Sequence, residues 1–222
     1  MLITVSDNGL KKPNLQMEKA IRAILKGGTV IVGTETYYAI AVNPFLGKAV
    51  ERIFSIKRRS SESPLPLIAA SQEIVNSKTF NVSPIARTLM KTFWPGSLTI
   101  LLDAGKEFSR NGRNEFGKIG VRVPPDCPAR RLAAEVGGWI TATSANFSGE
   151  AAPKTADEIP IELVDSVDEV LDDGSCPGGM PSTVIDVSDE SWSMVRIGSI
   201  SEERISRALG QSAQNYIQSE VK

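Results

Sequence analysis

The residues Trp139-Ile-Thr-Ala-Thr-Ser-Ala-Asn-Phe-Ser-Gly149 run from an apolar strand straight into a cluster of hydroxyls, one carboxamide and a glycine. Ser, Thr and Asn side chains compete for backbone hydrogen bonds and so collect at caps and turns. In open α/β sheets, the crevice at the carboxyl ends of the strands is also where ligands sit. Two readings follow: Thr143, Ser144 and Asn146 face a ligand, or they close the strand in an Asx- or ST-turn. A second buried-strand pattern, Thr29-Val-Ile-Val-Gly33, empties in the same way into Thr34-Glu-Thr-Tyr-Tyr38. There the plain alternative is a strand-to-helix turn capped by Thr34 or Thr36.

Helical periods separate these strands. Met17, Ala20, Ile21, Ile24 and Leu25 share one face of a helix capped by Asn14 and stopped at Gly27-Gly28. Lys48 to Ile56 repeats the pattern and ends in Lys57-Arg-Arg59, cations that complement a helix C-terminus and need no function, although the polar loop Ser60-Ser-Glu-Ser-Pro64 that follows leaves a functional reading open. Leu65-Pro-Leu-Ile-Ala69 reads as a strand, at an edge or bulge because of Pro66. Ser71 and Ser83-Pro84 start helices, and Leu98 to Leu102 is a strand after the turn Trp94-Pro-Gly-Ser97. Arg110 to Gly117 is the least regular segment and the candidate mobile flap. Ile119 to Pro124 is a strand carrying Arg122 among apolar neighbours, so a protein carboxylate or an anionic ligand must meet that guanidinium. Arg196, in the strand Trp192 to Gly198, poses the same question. Asp126 to Glu135 supplies a helix, and capping-box spacing places further helix starts at Thr155-Ala-Asp-Glu158 and Ser199-Ile-Ser-Glu202. The whole reads as α/β, one catalytic domain over residues 1–210 and a fraying tail at 211–222.

Composition narrows the chemistry. The 222 residues contain no histidine, which removes Ser-His-Asp and Cys-His catalysis and most zinc chemistry. Cations, hydroxyls, carboxylates and positioning remain. With Lys+Arg 25 against Asp+Glu 26, the net charge of −1 supplies no global field for a polyanion, so any nucleic-acid contact is local. Cys127 and Cys176 lie in no metal-ligand spacing and read as free thiols. No apolar run approaches a membrane span, and the expectation is a soluble, cytoplasmic chain.

Taken together, Gly33-Thr-Glu-Thr-Tyr-Tyr38, Lys57-Arg-Arg59 with Pro64-Leu65, Trp94-Pro-Gly96, Val121-Arg-Val-Pro124, Thr143-Ser-Ala-Asn146, Ser182-Thr183 and Arg196-Ile-Gly198 resemble the YrdC-like family of L-threonylcarbamoyladenylate synthases. The resemblance implies a single YrdC-like α/β domain, a twisted mixed sheet flanked by helices with a concave basic face. It implies a nucleotidyltransferase that joins L-threonine, bicarbonate and ATP into threonylcarbamoyl-AMP and pyrophosphate for tRNA threonylcarbamoyladenosine, with Mg2+ entering with ATP. By similarity Lys57 and Arg59 are catalytic and contact nucleotide phosphates with Arg196, Ser144 and Asn146 bind the nucleotide, and Thr34, Arg122 and Ser182 bind the amino acid. RNA contact through the basic face and partner proteins of the same pathway are further implications; a metal held by protein ligands is not.

The chain departs from the family pattern at Gly33 (usually proline), at Ala39 and Ala41 (usually glycines), at Ser60 (usually proline) and at Ile68, where the family has a histidine near the amino acid. Two rival readings keep the same phosphate cations or the same basic face: a paralogue with a different carbamoyl-adenylate, and a non-catalytic RNA-binding module.

Overall fold

The computed structural model describes residues 15–58, 64–188 and 190–210. The expected cap Asn14, the cation Arg59, the loop 60–63, Asp189 and the tail 211–222 lie outside the described residues. In chain order the elements are α1 (Leu15–Leu25), β1 (Val30–Gly33), β2 (Tyr38–Ala41), α2 (Gly47–Lys57), β3 (Leu67–Ala69), α3 (Gln72–Lys78), β4 (Thr79–Phe80), α4 (Pro84–Phe93), β5 (Leu98–Ala104), β6 (Lys118–Arg122), α5 (Pro128–Glu135), β7 (Trp139–Thr141), β8 (Thr143–Ser144), α6 (Ile161–Val164), β9 (Glu169–Leu171), β10 (Thr183–Val187), β11 (Trp192–Arg196) and α7 (Glu202–Ala208). Gly27, at φ +82°, ends α1 in the left-handed region that glycine enters without strain.

Where the sequence suggests one twisted sheet, the strands form two. The smaller runs β8-β2-β1-β9 and the larger β11-β10-β5-β6-β3-β7, with β4 on β5. Both mix parallel and antiparallel pairs. The chain changes sheets at Ala142: β7 pairs with β3 in the larger sheet, and β8 pairs with β2 in the smaller. Thr141 makes the joint, its N–H donating to Val42 O at 3.0 Å and its hydroxyl accepting from Val42 N at 2.9 Å. Helix α5 packs against β1, β3 and β7, and so fills the angle between the sheets. One apolar cluster lies there, with Ile24, Val32, Ile68, Leu132 and Ile140; another packs α4 and α7 on the larger sheet through Leu89, Met90, Ile100 and Ile205. Fully burying a side chain of this size contributes about 1.5–3 kcal/mol, so these clusters set the angle between the sheets.

Several local expectations change. The segment after Gly33 turns into strand β2, not a helix, because Tyr38 to Ala41 pairs antiparallel with β1 along its length. Strand β3 is interior, between β6 and β7; Pro66 is tolerated because it precedes the strand and offers only its carbonyl, to Ala142 N at 2.8 Å. Thr155 makes no side-chain cap, and a 3₁₀ turn, Ala156–Glu158, stands where a helix start was read. Glu158 instead accepts from Lys154 N at 2.6 Å. Helix α7 begins after Ser201, not Ser199, since Thr183 takes both backbone groups of Ile200 and keeps it out of the helix. The expected flap is hydrogen-bonded: Arg113 donates to Gly105 O at 3.0 Å and Phe108 O at 2.7 Å, and Asn114 Oδ1 accepts from Lys118 N at 2.8 Å.

Candidate active site

At the end of β1 the Thr34 hydroxyl organises its own turn. It donates to Tyr37 O at 2.7 Å and accepts from Thr36 N at 3.1 Å and Tyr37 N at 3.2 Å. A hydroxyl has one donor and two acceptor positions, so all are used, and a ligand contact through this oxygen replaces one of these bonds. The turn in turn grips the glycine-rich loop before β10. Tyr37 OH donates to Gly179 O at 2.6 Å, and Gly178 N to Thr36 O at 2.8 Å. Tyr38 OH lies 2.8 Å from Asp172 Oδ1 and 2.7 Å from Gly174 O. Burial first, then the bond to Asp172, pushes the Tyr38 phenol far above its ordinary value, and the same bond holds the Asp172 carboxyl below its own.

The hydroxyl and carboxamide cluster that follows β7 is built on a lysine. Lys57, at the last turn of α2 and only 3% exposed, donates to Ser144 O, to Asn146 O at 2.7 Å and to Asn146 Oδ1 at 3.2 Å. An ammonium has three donors; these oxygens match them, so the group is a buried clamp and not a solvated helix end. Ser144 Oγ donates to Asn146 Oδ1 at 2.5 Å, and Asn146 Nδ2 to Glu150 O at 2.6 Å. Ala145 N donates to Tyr38 O at 2.9 Å, which places this cluster beside the Thr34 turn. The next cation, Arg58, adopts φ 51° and lies over the Phe147 ring at 4.9 Å.

The two strand arginines resolve differently. Arg122 meets a protein carboxylate, Glu35 of the turn, with Nη1 to Oε1 at 3.2 Å and side chains 12% and 10% exposed. Arg196 has no carboxylate within ion-pair distance among the described residues; it donates from Nε and Nη2 to Ser182 O at 3.2 and 2.9 Å, and from Nη2 to Ser182 Oγ at 3.1 Å. Ser182 Oγ is also 2.9 Å from the buried Thr99 hydroxyl. Although Arg196 as a residue is exposed, its guanidinium end lies against Ser182. Desolvation there, and then repulsion from Arg122, lowers its pKa. Strand β5 lies between β10 and β6, and its start pairs with the start of β10 and the end of β6, so Arg122 and the Ser182 that holds Arg196 lie at the same end of the larger sheet.

A cavity of about 320 Å³ opens beside the turn, lined by Gly33, Thr34, Glu35, Cys127, Arg131 and Cys176 among others. Both cysteines are free, and burial is the main cause that pushes each thiol up. A Cβ on Gly33 would come within 3.3 Å of Cys176 Sγ, so the bare backbone there leaves room for the thiol. Ile68 pairs in register with Arg122 yet has no exposed surface and packs in the cluster between the sheets. It presents nothing to a ligand.

The Sua5/YciO/YrdC family model, described by the words telomere recombination, matches residues 22–198. The chain belongs to the Sua5/YciO/YrdC family. It is 34% identical over 186 residues, 84% of this chain and 87% of the other, to a Methanocaldococcus jannaschii protein provisionally named a threonylcarbamoyl-AMP synthase. It is 32% identical to the threonylcarbamoyl-AMP synthase of Bacillus subtilis over 88% of this chain and 57% of that one. Among solved structures, Pyrococcus abyssi Sua5 complexed with L-threonine superposes with a TM-score of 0.82 at 30% identity, covering 88% of this chain and 57% of the other. Escherichia coli YciO does so with a TM-score of 0.75 at 28% identity, covering 85% and 92%.

Of the family residues expected here, Thr34, Lys57 with Ser144 and Asn146, and Ser182 with Arg196 stand in three hydrogen-bonded groups, the first two joined through Tyr38, and Arg122 joins the Thr34 turn by its ion pair with Glu35; Arg59 lies outside the described residues. Two members escape the sequence reading. Glu35 stands inside a quoted motif, and the signal for it is Arg122's need of a carboxylate. Thr99 is a hydroxyl inside an apolar strand, a weaker signal.

Proposed function

We propose that the chain is an L-threonylcarbamoyladenylate synthase, making threonylcarbamoyl-AMP and pyrophosphate from L-threonine, bicarbonate and ATP for the threonylcarbamoyladenosine modification of tRNA. The observation that carries the reading is Arg196: a guanidinium fixed on Ser182, at the same end of the larger sheet as Arg122, with no carboxylate of its own among the described residues. A partly buried guanidinium bonded only to a carbonyl and a hydroxyl keeps its charge unneutralised and favours an anionic ligand. The relatives named for this activity, at 30% identity or above over most of the chain, supply the reaction.

The carbamate of threonine is already a nucleophile, so its attack on the α-phosphorus, with pyrophosphate leaving, needs in-line positioning and neutralised charge and no histidine. Arg122 takes the amino-acid carboxylate through its planar fork. Arg196 and Arg59 meet the phosphates. Lys57 contributes its charge and, through its bonds, the fixed orientation of Ser144 and Asn146. Mg2+ would accompany the nucleotide phosphates with water as its other ligands; among the described residues no group of three or more acidic or thiol side chains could hold it.

Pyrophosphate release with ATP and bicarbonate across a panel of amino acids tests the reading. Threonine should give the fastest release, dependent on bicarbonate, and Arg196→Ala or Lys57→Met should lower it roughly 10²- to 10³-fold, the usual loss for one electrostatic stabiliser. Release that ignores threonine or bicarbonate would refute it.

A further inference from the structure

Glu35 is the one acidic side chain in the amino-acid end of the site as described above, and its setting is unusual. Its side chain is 10% exposed, and both carboxylate oxygens are buried without a hydrogen-bond donor. Among the described residues its single charged partner is Arg122, whose Nε is likewise buried without an acceptor there. The other acids at the cavity, Asp126 and Asp173, are more exposed and face Arg131 instead. A buried pair satisfied by one contact is a poor source of stability, because desolvation of the remaining lone pairs and N–H groups goes uncompensated. Its value must lie elsewhere.

Consider the site without Glu35. Arg122 would then meet a ligand as a cation without its carboxylate partner, and would draw any small anion: phosphate, bicarbonate or a hydroxy acid. A substrate amino acid is a zwitterion, with an ammonium one carbon from its carboxylate. A carboxylate fixed 3.2 Å from Arg122 gives the site the opposite dipole, negative beside positive over the same few ångströms. The effect is electrostatic and acts through the low-dielectric wall, so the Glu35 oxygens need no opening to the ligand.

We propose that Glu35 is a specificity-determining residue: paired with Arg122, it makes the amino-acid end of the site accept a zwitterion and disfavour a plain carboxylate. The proposal rests on the reading that Arg122 receives the substrate's carboxylate. It is distinct from a positioning role, in which Glu35 would merely aim Arg122. Loss of aim weakens every carboxylate alike. Loss of the charge weakens the zwitterion through its ammonium and strengthens the bare anion, so the ratio of the two affinities moves in one direction whichever part dominates.

The test is calorimetric binding of L-threonine and of 3-hydroxybutanoate, which is threonine without its amino group, to the full chain and to Glu35→Gln, with Glu35→Asp as a charge-conserving control and thermal unfolding to check folding. The preference for threonine should fall roughly 10- to 100-fold in Glu35→Gln, as expected for one charge acting across a partly hydrated site, and should be largely kept in Glu35→Asp. If Glu35→Gln weakens both ligands by the same factor, or changes neither, the proposal is overturned while the amino-acid reading stands. If the unaltered chain binds neither ligand, that reading falls and takes the proposal with it. Should Glu35→Gln fail to fold, the same ratio read in Glu35→Ser, which also removes the charge, decides by the same outcomes.

Discussion

At Ile68 the strand places a β-branched aliphatic side chain next in register to Arg122, with no exposed surface and with Leu132 and Ile140 in its cluster. Sequence alone left open whether it lines the amino-acid pocket, in which case Ile68→His would sharpen the preference for threonine over valine. Full burial among α5 and β7 decides for the core. An imidazole there finds no partner, and burying an unsatisfied polar group costs about 1–3 kcal/mol. Ile68→His should therefore lower the melting temperature by about 2–4 °C per kcal/mol lost and leave the threonine-to-valine ratio of pyrophosphate release unchanged. A stable variant with a sharpened ratio would return Ile68 to the pocket. Arg122 and Arg196 show the same limit of linear reading. Both were marked as cations needing a partner, but only the folded chain assigns Glu35 to one and the Ser182 carbonyl to the other. Lys57 is the opposite case: its place at a helix end suggested a solvated charge, and three acceptors from a distant segment bury it.

Elements whose signals are local are the ones the sequence places well. Ser83 accepts from Ala86 N at 3.1 Å with Pro84 in the first turn of α4, as the Ser-Pro pair specifies. The start of α7 moves by two residues because Thr183, on another element, takes the backbone of Ile200. The glycine-rich loop 172–181 has a local turn at Asp172, whose carboxylate accepts from Gly174 N, but its place is set by the Thr34 turn through Tyr37, Tyr38 and Thr36. Tyr37→Phe deletes the bond to Gly179 O. One such exposed bond is worth at most about 1 kcal/mol, so global stability should barely change. Local opening should become about fivefold faster, read as amide hydrogen exchange in the peptide spanning 172–182. Unchanged exchange there would mean that Tyr38 and the Gly178 N–H hold the loop unaided.

For the whole molecule, a net charge of −1 means that the cations of the site act locally. Adenylate formation should then proceed without RNA and change by less than about threefold between 50 and 200 mM salt. A module built on RNA phosphates would instead lose about 10³- to 10⁵-fold in affinity over that range. An RNA requirement with that salt dependence would favour the RNA-binding reading. No helix among the described residues is long and apolar enough to cross a membrane. The sequence by itself determined the α/β class, most helix starts, the exclusion of histidine chemistry and, by resemblance, the family. Each rests on residue type or on spacing within a short window, where propensity and capping act directly. Only the tertiary structure decided that there are two sheets, that Ala142 is where the chain crosses between them, that β3 is interior despite Pro66, and that Glu35 faces Arg122. Strand pairing and buried charge pairing join residues far apart in the chain, and their partners are selected by shared burial, which no local pattern encodes.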